Sequence, residues 1–496
     1  VLILSVLLAI APPHGIVLAG GMVLDGSGTP ARRADVRIVR TRIVQVGKFT
    51  PHPDDQIINV KGLTVAPGFI DTHSHANAGI WDDPDAETQI RQGITTAIVG
   101  EDGDSALPVN DFLARLDRHP ASINFATFVG QGTVRDKVMG NQQRKPTRSE
   151  MSKMKLLVAQ SMREGALGLS TGLEYVPGRY ASTAEVAELT KTAAKYGGSY
   201  ISHVRNEDNQ ALEAFKELIE ICRIARVPGE INHIKLCSQR VWGRAGEVSR
   251  MMANARKKRI EINADVYPYT YWQSTIRVII PTENFDDRKQ WEQGLSDVGG
   301  ASHVLLTTFT PDKTWEGKTL AEISSITGKD PITLCQEIVK RCHASGKKES
   351  ESVVVTAMSE DDVAAFIADP HIVFCSDGGL HGTHPRGAGS FPRILARYVR
   401  EKHVITLAEA VHKMTMVAAM RFGFKDRGRI AKGMKADITV FNPETVQDRA
   451  TTAHPQAKPD GIPIVIVNGQ IVLQDGNPTG VHSGVAIRRV HSVPPS

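Results

Sequence analysis

The sequence predicts an α/β protein: a (β/α)8 barrel with a small β domain assembled from both ends of the chain. Two observations carry this. Through the middle, eight short apolar runs that end in polar residues alternate with helix-like stretches, the order of a parallel barrel. The two ends instead read as short β-branched strands joined by tight turns. A length of 496 residues has room for both units.

The chain opens on "VLILSVLLAIAPP", a run with the length of a signal-peptide core and too short to span a bilayer. Residues 1–14 are therefore expected to be the remnant of an export signal, giving a periplasmic or secreted protein. The alternative is a cytoplasmic protein whose fold uses this run as a strand or helix. Residues 15–64 are expected to form the first part of the β domain. There "GIVLAGGMVLDGSG" is two apolar runs broken by Gly-Gly, and "ADVRIVRTRIVQVG" alternates with period two, as a half-buried strand does.

Residues 65–429 are expected to form the barrel. Its strand runs are "LTVAPGFIDTHSH", "ITTAIVGED", "INFATFVGQ", "ALGLSTG", "SYISHVRNE", "GEINHIKL", "IEINADVYPY" and "IVFCSDGG". Between them "SKMKLLVAQSMREG", "STAEVAELTKTAAKYGG" and "EDNQALEAFKELIEICRIAR" carry helical periodicity, the first two closing at glycine. The segment at about 282–352 is too long for a simple connection and has strand and helix patterns of its own, so an inserted subdomain is expected there. Residues 430–496 return to β patterns: "ADITVFNP" and "IPIVIVNGQIVLQDGN", bounded by Asn-Gly and Asp-Gly turns.

Composition is that of a globular enzyme-sized chain, 41% apolar and 23% charged. A net charge of +5 with no basic run gives no sign of nucleic-acid binding. The cysteines, Cys222, Cys237, Cys335, Cys342 and Cys375, form no CxxC pair and read as scattered thiols. No other stretch is long and apolar enough for a membrane helix, and oligomeric state is not readable from the chain.

Active sites of such barrels lie at the C-terminal ends of the strands. The distinctive polar residues fall there. His73 and His75 close the first run, Glu101 and Asp102 the second, His203 the fifth, His233 the sixth and Asp377 the eighth. In an extended segment residues i and i+2 point the same way, so His73 and His75 can grip one ion together. Alone, each has an ordinary reading: a packed histidine, or an aspartate forming a turn. Together, four imidazoles and three carboxylates at one mouth suit zinc or a similar divalent ion.

These blocks resemble the amidohydrolase superfamily and, within it, the N-acyl-D-amino-acid deacylases (D-aminoacylases). "APGFIDTHSH" is similar to the superfamily's first metal motif. "SYISHVRNE", "INHIKL" and "DVYPY" resemble the deacylase blocks on strands five to seven, and "SDGGLHGTHPRGAGSFPR" the block after strand eight. "AEAVHKMTMVAAMRFGFKDRGRIAKGMKADITVFNP" resembles the closing helix and the return to the β domain. The resemblance spans nearly the whole chain. It implies a distorted (β/α)8, TIM-like barrel with a small β-sandwich, and a metal-dependent hydrolase of the amide bond of N-acyl-D-amino acids. Departures are plain. "GEDG" stands at 100–103 where the family usually has "GNCG", so Asp102 takes the place of a cysteine ligand and Glu101 that of the asparagine. Gln131 stands where a histidine is usual, and Ala388 where an aromatic is common.

By this resemblance His73, His75 and Asp377 form one metal site, and His203, His233 and either Glu101 or Asp102 the other, with one or two zinc ions. Asp377 is the expected general base and then acid. Lys235, Tyr267 and Arg386 are expected to hold the substrate carboxylate, where an arginine fork matches two oxygens, and residues 170–178 to line the acyl pocket. The expected partner is a small N-acyl amino acid or short peptide. Two rivals remain: a dipeptidase or cyclic-amide hydrolase of the same superfamily, and a metal-binding homologue without activity. The cyclic-amide type usually carries a carboxylated lysine on strand four, where this chain reads "ALGLSTGL".

Overall fold

The computed structural model describes residues 15–280, 282–346 and 350–489. The run read as an export signal lies outside them. Eight parallel strands follow one another in chain order: β1 (Phe69–Asp71), β2 (Ile94–Val99), β3 (Asn124–Thr127, continued by Val129–Gly130), β4 (Gly168–Gly172), β5 (Ser199–His203), β6 (Gly229–Ile231), β7 (Ile262–Val266) and β8 (Ile372–Phe374). Every residue in them is buried except Ser199 at the start of β5. Burial on both faces is why they read as continuous apolar runs and not as alternating ones. The α/β class and the strand order are those the sequence predicts.

The first and last strands meet just beyond their ends. Ser376 N donates to Asp71 Oδ1 (2.7 Å), Asp377 N to His73 O (2.9 Å) and His75 N to Gly378 O (3.0 Å). The same contacts bring Asp377 beside the two histidines after β1.

Helices cover the strands by burying one stripe each. In Ala211–Ala225 the buried positions include 211, 214, 215, 218, 221, 222 and 225, the spacing of one helical face. Arg148–Glu164 starts on a capping box, with Thr147 Oγ1 accepting from Glu150 N and Glu150 accepting from Thr147 N, and stops at Gly165 with φ 114°.

The run "LTVAPGFIDTHSH", read as one barrel strand, is divided. Thr64–Pro67 belongs to a seven-stranded sheet of the β domain, and only Phe69–Asp71 joins the parallel strands. The division falls at Gly68, where a Cβ would lie 2.2 Å from Thr95 Oγ1. In that sheet Thr64–Pro67 pairs antiparallel with Ile438–Phe441, Ile438 opposite Pro67, so the two ends of the chain share one ladder. A four-stranded sheet (Arg42–Gly47, Asp35–Val39, Ile16–Ala19, Gln56–Asn59) packs beside it through Leu18, Val36, Ile38, Val65, Ile438 and Ile466.

Between β7 and β8 lies an antiparallel sheet of Tyr271–Ser274, Glu351–Thr356, Val304–Phe309 and Lys318–Thr319, with helices Arg288–Asp297, Leu320–Thr327 and Pro331–Ser345. It is wider at both ends than the segment 282–352 expected from sequence. Its first strand, Tyr271–Ser274, follows β7 almost directly, and Trp272, Gln273 and Ser274 line the same cavity as residues at the ends of the parallel strands.

Candidate metal centre and substrate pocket

The strand ends converge as expected. His73 is buried, and its Nε2 lies 3.4 Å from Asp377 Oδ1 and 3.6 Å from Asp102 Oδ1. His75 Nε2 lies 3.2 Å from Asp377 Oδ1 and 3.4 Å from Asp102 Oδ2, with 39% of its side chain exposed to the cavity. Asp102 Oδ1 is also 3.4 Å from His233 Nε2 and 3.7 Å from His203 Nδ1, and those two nitrogens are 3.0 Å apart. Two donors bound about 2.0–2.1 Å from one tetrahedral ion sit about 3.3 Å from each other, so these spacings are those of a ligand cage. His73, Asp102, His233 and Asp377 form one such group, and His203, Glu207 and His233 a second.

The residues also fit an ion by what they lack. Both ring nitrogens of His73 and Oδ1 of Asp102 are buried without a hydrogen-bond partner. Buried polar atoms are almost always satisfied. A neutral imidazole has one lone pair, so His73 Nε2 and Asp102 Oδ1, 3.6 Å apart, are the pair of acceptors that calls for a cation between them.

The backbone is bent to aim these groups. Asp102 (φ 53°), His233 (φ 34°) and Asp377 (φ 49°) all lie in the left-handed region, which non-glycine residues seldom occupy. Each is held there. Asp265 accepts from His233 N through Oδ1 and from Asn232 Nδ2 (3.2 Å) through Oδ2. Asp71 takes both Ser376 N and Ser376 Oγ, fixing the residue before Asp377. The Asp102 turn rests on the end of β4, where a Cβ on Gly172 would fall 2.1 Å from Asp102 O.

Glu101 and Asp102 are not equivalent. Burial raises the Asp102 pKa, but the imidazoles of His73, His233 and His75 outweigh it and hold the carboxyl well below its usual range. Glu101 is pushed well above the usual range, by burial first and then by Asp265 and Asp102. Its closest imidazole nitrogen is His73 Nδ1, at 3.8 Å, and neither of its oxygens has a hydrogen-bond partner. Asp377 is likewise ionised: burial raises its pKa, and Arg386, His233 and His73 override that.

Two acids were missed in the sequence. Glu174 Oε2 lies 2.8 Å from His203 Nε2, and Glu207 Oε1 lies 3.1 Å from His233 Nδ1. Each sits on the ring nitrogen that faces away from Asp102, where a carboxylate fixes the tautomer and orientation of a metal-binding histidine. Both leave the strands and lie on loops, which hid them. A signal was present for Glu207, four residues after His203, and Glu174 falls within the 170–178 loop.

Of the expected carboxylate-holding residues, Lys235 Nζ bonds both oxygens of Glu207 (2.8 and 2.9 Å) and approaches His233 Nδ1 (2.6 Å). Arg386 Nη1 lies 2.5 Å from Asp377 Oδ2, and its guanidinium stacks 4.9 Å over the Tyr267 ring. Arg386 Nε and Tyr267 Oη are buried and unpartnered. Lys235, Glu207, Asp377 and Arg386, but not Tyr267, which lies behind Arg386, line one cavity of about 490 Å³. Its floor holds His75, Asp102, His203, His233 and Asp377. Its outer wall comes from the inserted subdomain, including Trp272, Val278, Gln293 and Asp297, and Glu174 and Tyr175 enter from the 170–178 loop. Gln131 and Ala388, the other two departures from the family pattern, do not line this cavity.

The profile of the Amidohydrolase family matches residues 56–309 and 245–473. The chain is 33% identical over 502 residues to a D-aminoacylase of Alcaligenes xylosoxydans xylosoxydans, covering 96% of this chain and 98% of that one. It is 33% identical to an N-acyl-D-glutamate deacylase of the same organism, covering 96% and 97%. Among solved structures, an N-acyl-D-glutamate deacylase from Bordetella bronchiseptica, complexed with zinc and a phosphonate mimic of the tetrahedral intermediate, is similar with a TM-score of 0.85. That similarity is at 32% identity, over 96% of this chain and all of that one. Sequence match, whole-chain similarity and the strand-end cage agree: the chain belongs to the amidohydrolase family, on the branch of the D-aminoacylases and N-acyl-D-amino-acid deacylases.

Proposed function

We propose that the protein is a zinc-dependent hydrolase that cleaves the amide bond of N-acyl-D-amino acids to a carboxylate and a free D-amino acid. The observation that carries this is the cage of imidazoles and carboxylates with orphaned buried atoms, set in the floor of a cavity that Arg386 also lines, its Nε unpartnered and its guanidinium stacked on Tyr267, whose Oη is unpartnered too. The D configuration is supported by the relatives, which act on D-amino-acid derivatives.

His73, His75 and Asp377 would hold one ion, and His203, His233 and Asp102 the other. Asp102 takes this role over Glu101 because it is the ionised carboxyl within reach of four imidazoles. When bound, a divalent ion there polarises the amide carbonyl and lowers the pKa of water toward ~7. Asp377, ionised and placed between the histidines and Arg386, takes the proton of the attacking water and hands it to the amide nitrogen as the C–N bond breaks. Arg386 and Tyr267 bind the substrate's α-carboxylate, and Lys235, braced by Glu207, adds positive charge at the same end. β4 carries no lysine, which disfavours the cyclic-amide reading.

The test is a panel of N-acyl-D- and N-acyl-L-amino acids, short D-peptides and cyclic amides, assayed with the zinc-loaded protein. Hydrolysis of N-acyl-D-amino acids is expected. Hydrolysis confined to cyclic amides or dipeptides, or no hydrolysis with zinc bound, would overturn the proposal.

A further inference from the structure

The overall likeness to a D-aminoacylase as well as to N-acyl-D-glutamate and N-acyl-D-aspartate deacylases leaves the side-chain class to the pocket itself. We infer that this pocket accepts uncharged and cationic substrate side chains and rejects acidic ones, so that the substrates are N-acyl derivatives of D-amino acids such as glutamine, methionine or lysine, not glutamate or aspartate. The inference rests on the deacylase reading above.

The reason is a count of cations and their commitments. Among the described residues lining the cavity, Lys235 and Arg386 are the lysine and arginine side chains. Lys235 is matched by both oxygens of Glu207, and Arg386 faces Asp377. What Arg386 has left is needed by the α-carboxylate that every substrate of this class carries. A second carboxylate, on the side chain, would find no cation to receive it.

Among the described residues the remaining walls carry apolar, neutral polar and acidic side chains and no further lysine or arginine. Trp272, Val278 and Ile279 form the apolar one. Asp208, Asn209, Gln293 and Asp297 form the other. Asp297 accepts from Asn209 Nδ2 (2.7 Å), Arg240 Nε (2.7 Å) and Gln293 Nε2 (2.8 Å), so a cation already at the rim is taken up there. Asp208 is bonded by Asn206 and by the backbone amides of Asn209 and Gln210, and it lines the cavity together with Asp297. An anionic side chain would lose its water and meet this acid; an amide would hydrogen-bond with it, and an ammonium would pair with it. The cavity next door does contain Arg179, Arg205 and Arg277, but each has an acid partner: Glu283, Glu217 and Glu351.

The test compares isosteres. With the zinc-loaded full chain, kcat/KM for N-acetyl-D-glutamine is expected to exceed that for N-acetyl-D-glutamate by ~10-fold or more, chiefly through KM, with N-acetyl-D-lysine and N-acetyl-D-methionine on the favoured side. The ratio should shrink as salt is raised, because the discrimination is electrostatic. Asp208→Asn should narrow it further. Glutamate hydrolysed as well as or better than glutamine overturns this inference alone, whatever the variant does. No hydrolysis of any N-acyl-D-amino acid overturns the proposed function and this inference with it.

Discussion

Glu101 and Asp102 are adjacent in the chain, yet their surroundings differ. Asp102 lies 3.4–3.7 Å from nitrogens of His73, His75, His203 and His233, whereas Glu101 reaches only His73, at 3.8 Å. Asp102→Ala should therefore weaken zinc binding by at least ~10–100-fold, the loss seen when even an outer partner of a ligand is removed. Glu101→Ala should weaken it much less. Zinc titration of the two variants measures the difference; equal losses would return Glu101 to the cage. Asp377→Asn keeps the shape but cannot take a proton, so kcat should fall by ~10²–10⁴ while the His203–His233 end still binds metal. Arg386→Lys keeps the charge and loses the fork, so KM should rise more than kcat falls. The cluster of imidazoles and carboxylates was legible because strand ends place it and the HxH spacing marks β1. Glu174 and Glu207 were not, because a residue that acts through a histidine from a loop has no periodicity to announce it.

A strand end is useful only if the turn beyond it fits. Gly172 closes β4 directly under the Asp102 turn, where a Cβ would lie 2.1 Å from Asp102 O. Gly172→Ala must push that turn, and overpacking of this kind costs about 1–3 kcal/mol. The expected result is a lower melting temperature and weaker zinc binding together, read by calorimetry; unchanged affinity would show that the turn moves without its carboxylate. In the β domain, Arg37 grips Asp55 through Nε (2.7 Å) and Nη2 (2.9 Å) and holds the aspartate at about 2. The folded pKa lies below the unfolded value of ~3.9. The stabilisation is thus present above pH ~4 and is lost as pH falls through about 2. Arg37→Ala should melt lower than the parent at neutral pH, and the gap should close on acidification to that point; a gap constant with pH would point to packing instead. Strand identities were legible from apolar runs, but the split at Gly68 was not. Nothing in "TVAPGFID" shows that its halves serve different sheets, since both halves are buried.

At the scale of the molecule, the two ends of the chain are one structural unit. Ile438–Phe441 lies between Thr64–Pro67 and Ile464–Val467, and its Ile438 and Val440 are buried in the β-domain core. A chain ending before Ile438 strips the partner from Thr64–Pro67, the segment that leads into β1. It should fail to give soluble, cooperatively melting protein, which expression and thermal scans would show; a folded truncated chain would mean that the parallel-stranded unit stands alone. The two-ended β domain was legible from its turns and β-branched runs. The placement of the inserted subdomain beside the ends of the parallel strands was not, because it depends on contacts such as Asn209 to Asp297 between residues 88 positions apart. That clasp has a consequence. The groups that break the bond come from the ends of the parallel strands, and much of the wall that meets the rest of the substrate comes from a separate piece of chain fastened across them. Catalyst and clientele can therefore change independently: a descendant could take up new substrates by remodelling residues 271–298 alone, inheriting its chemistry untouched.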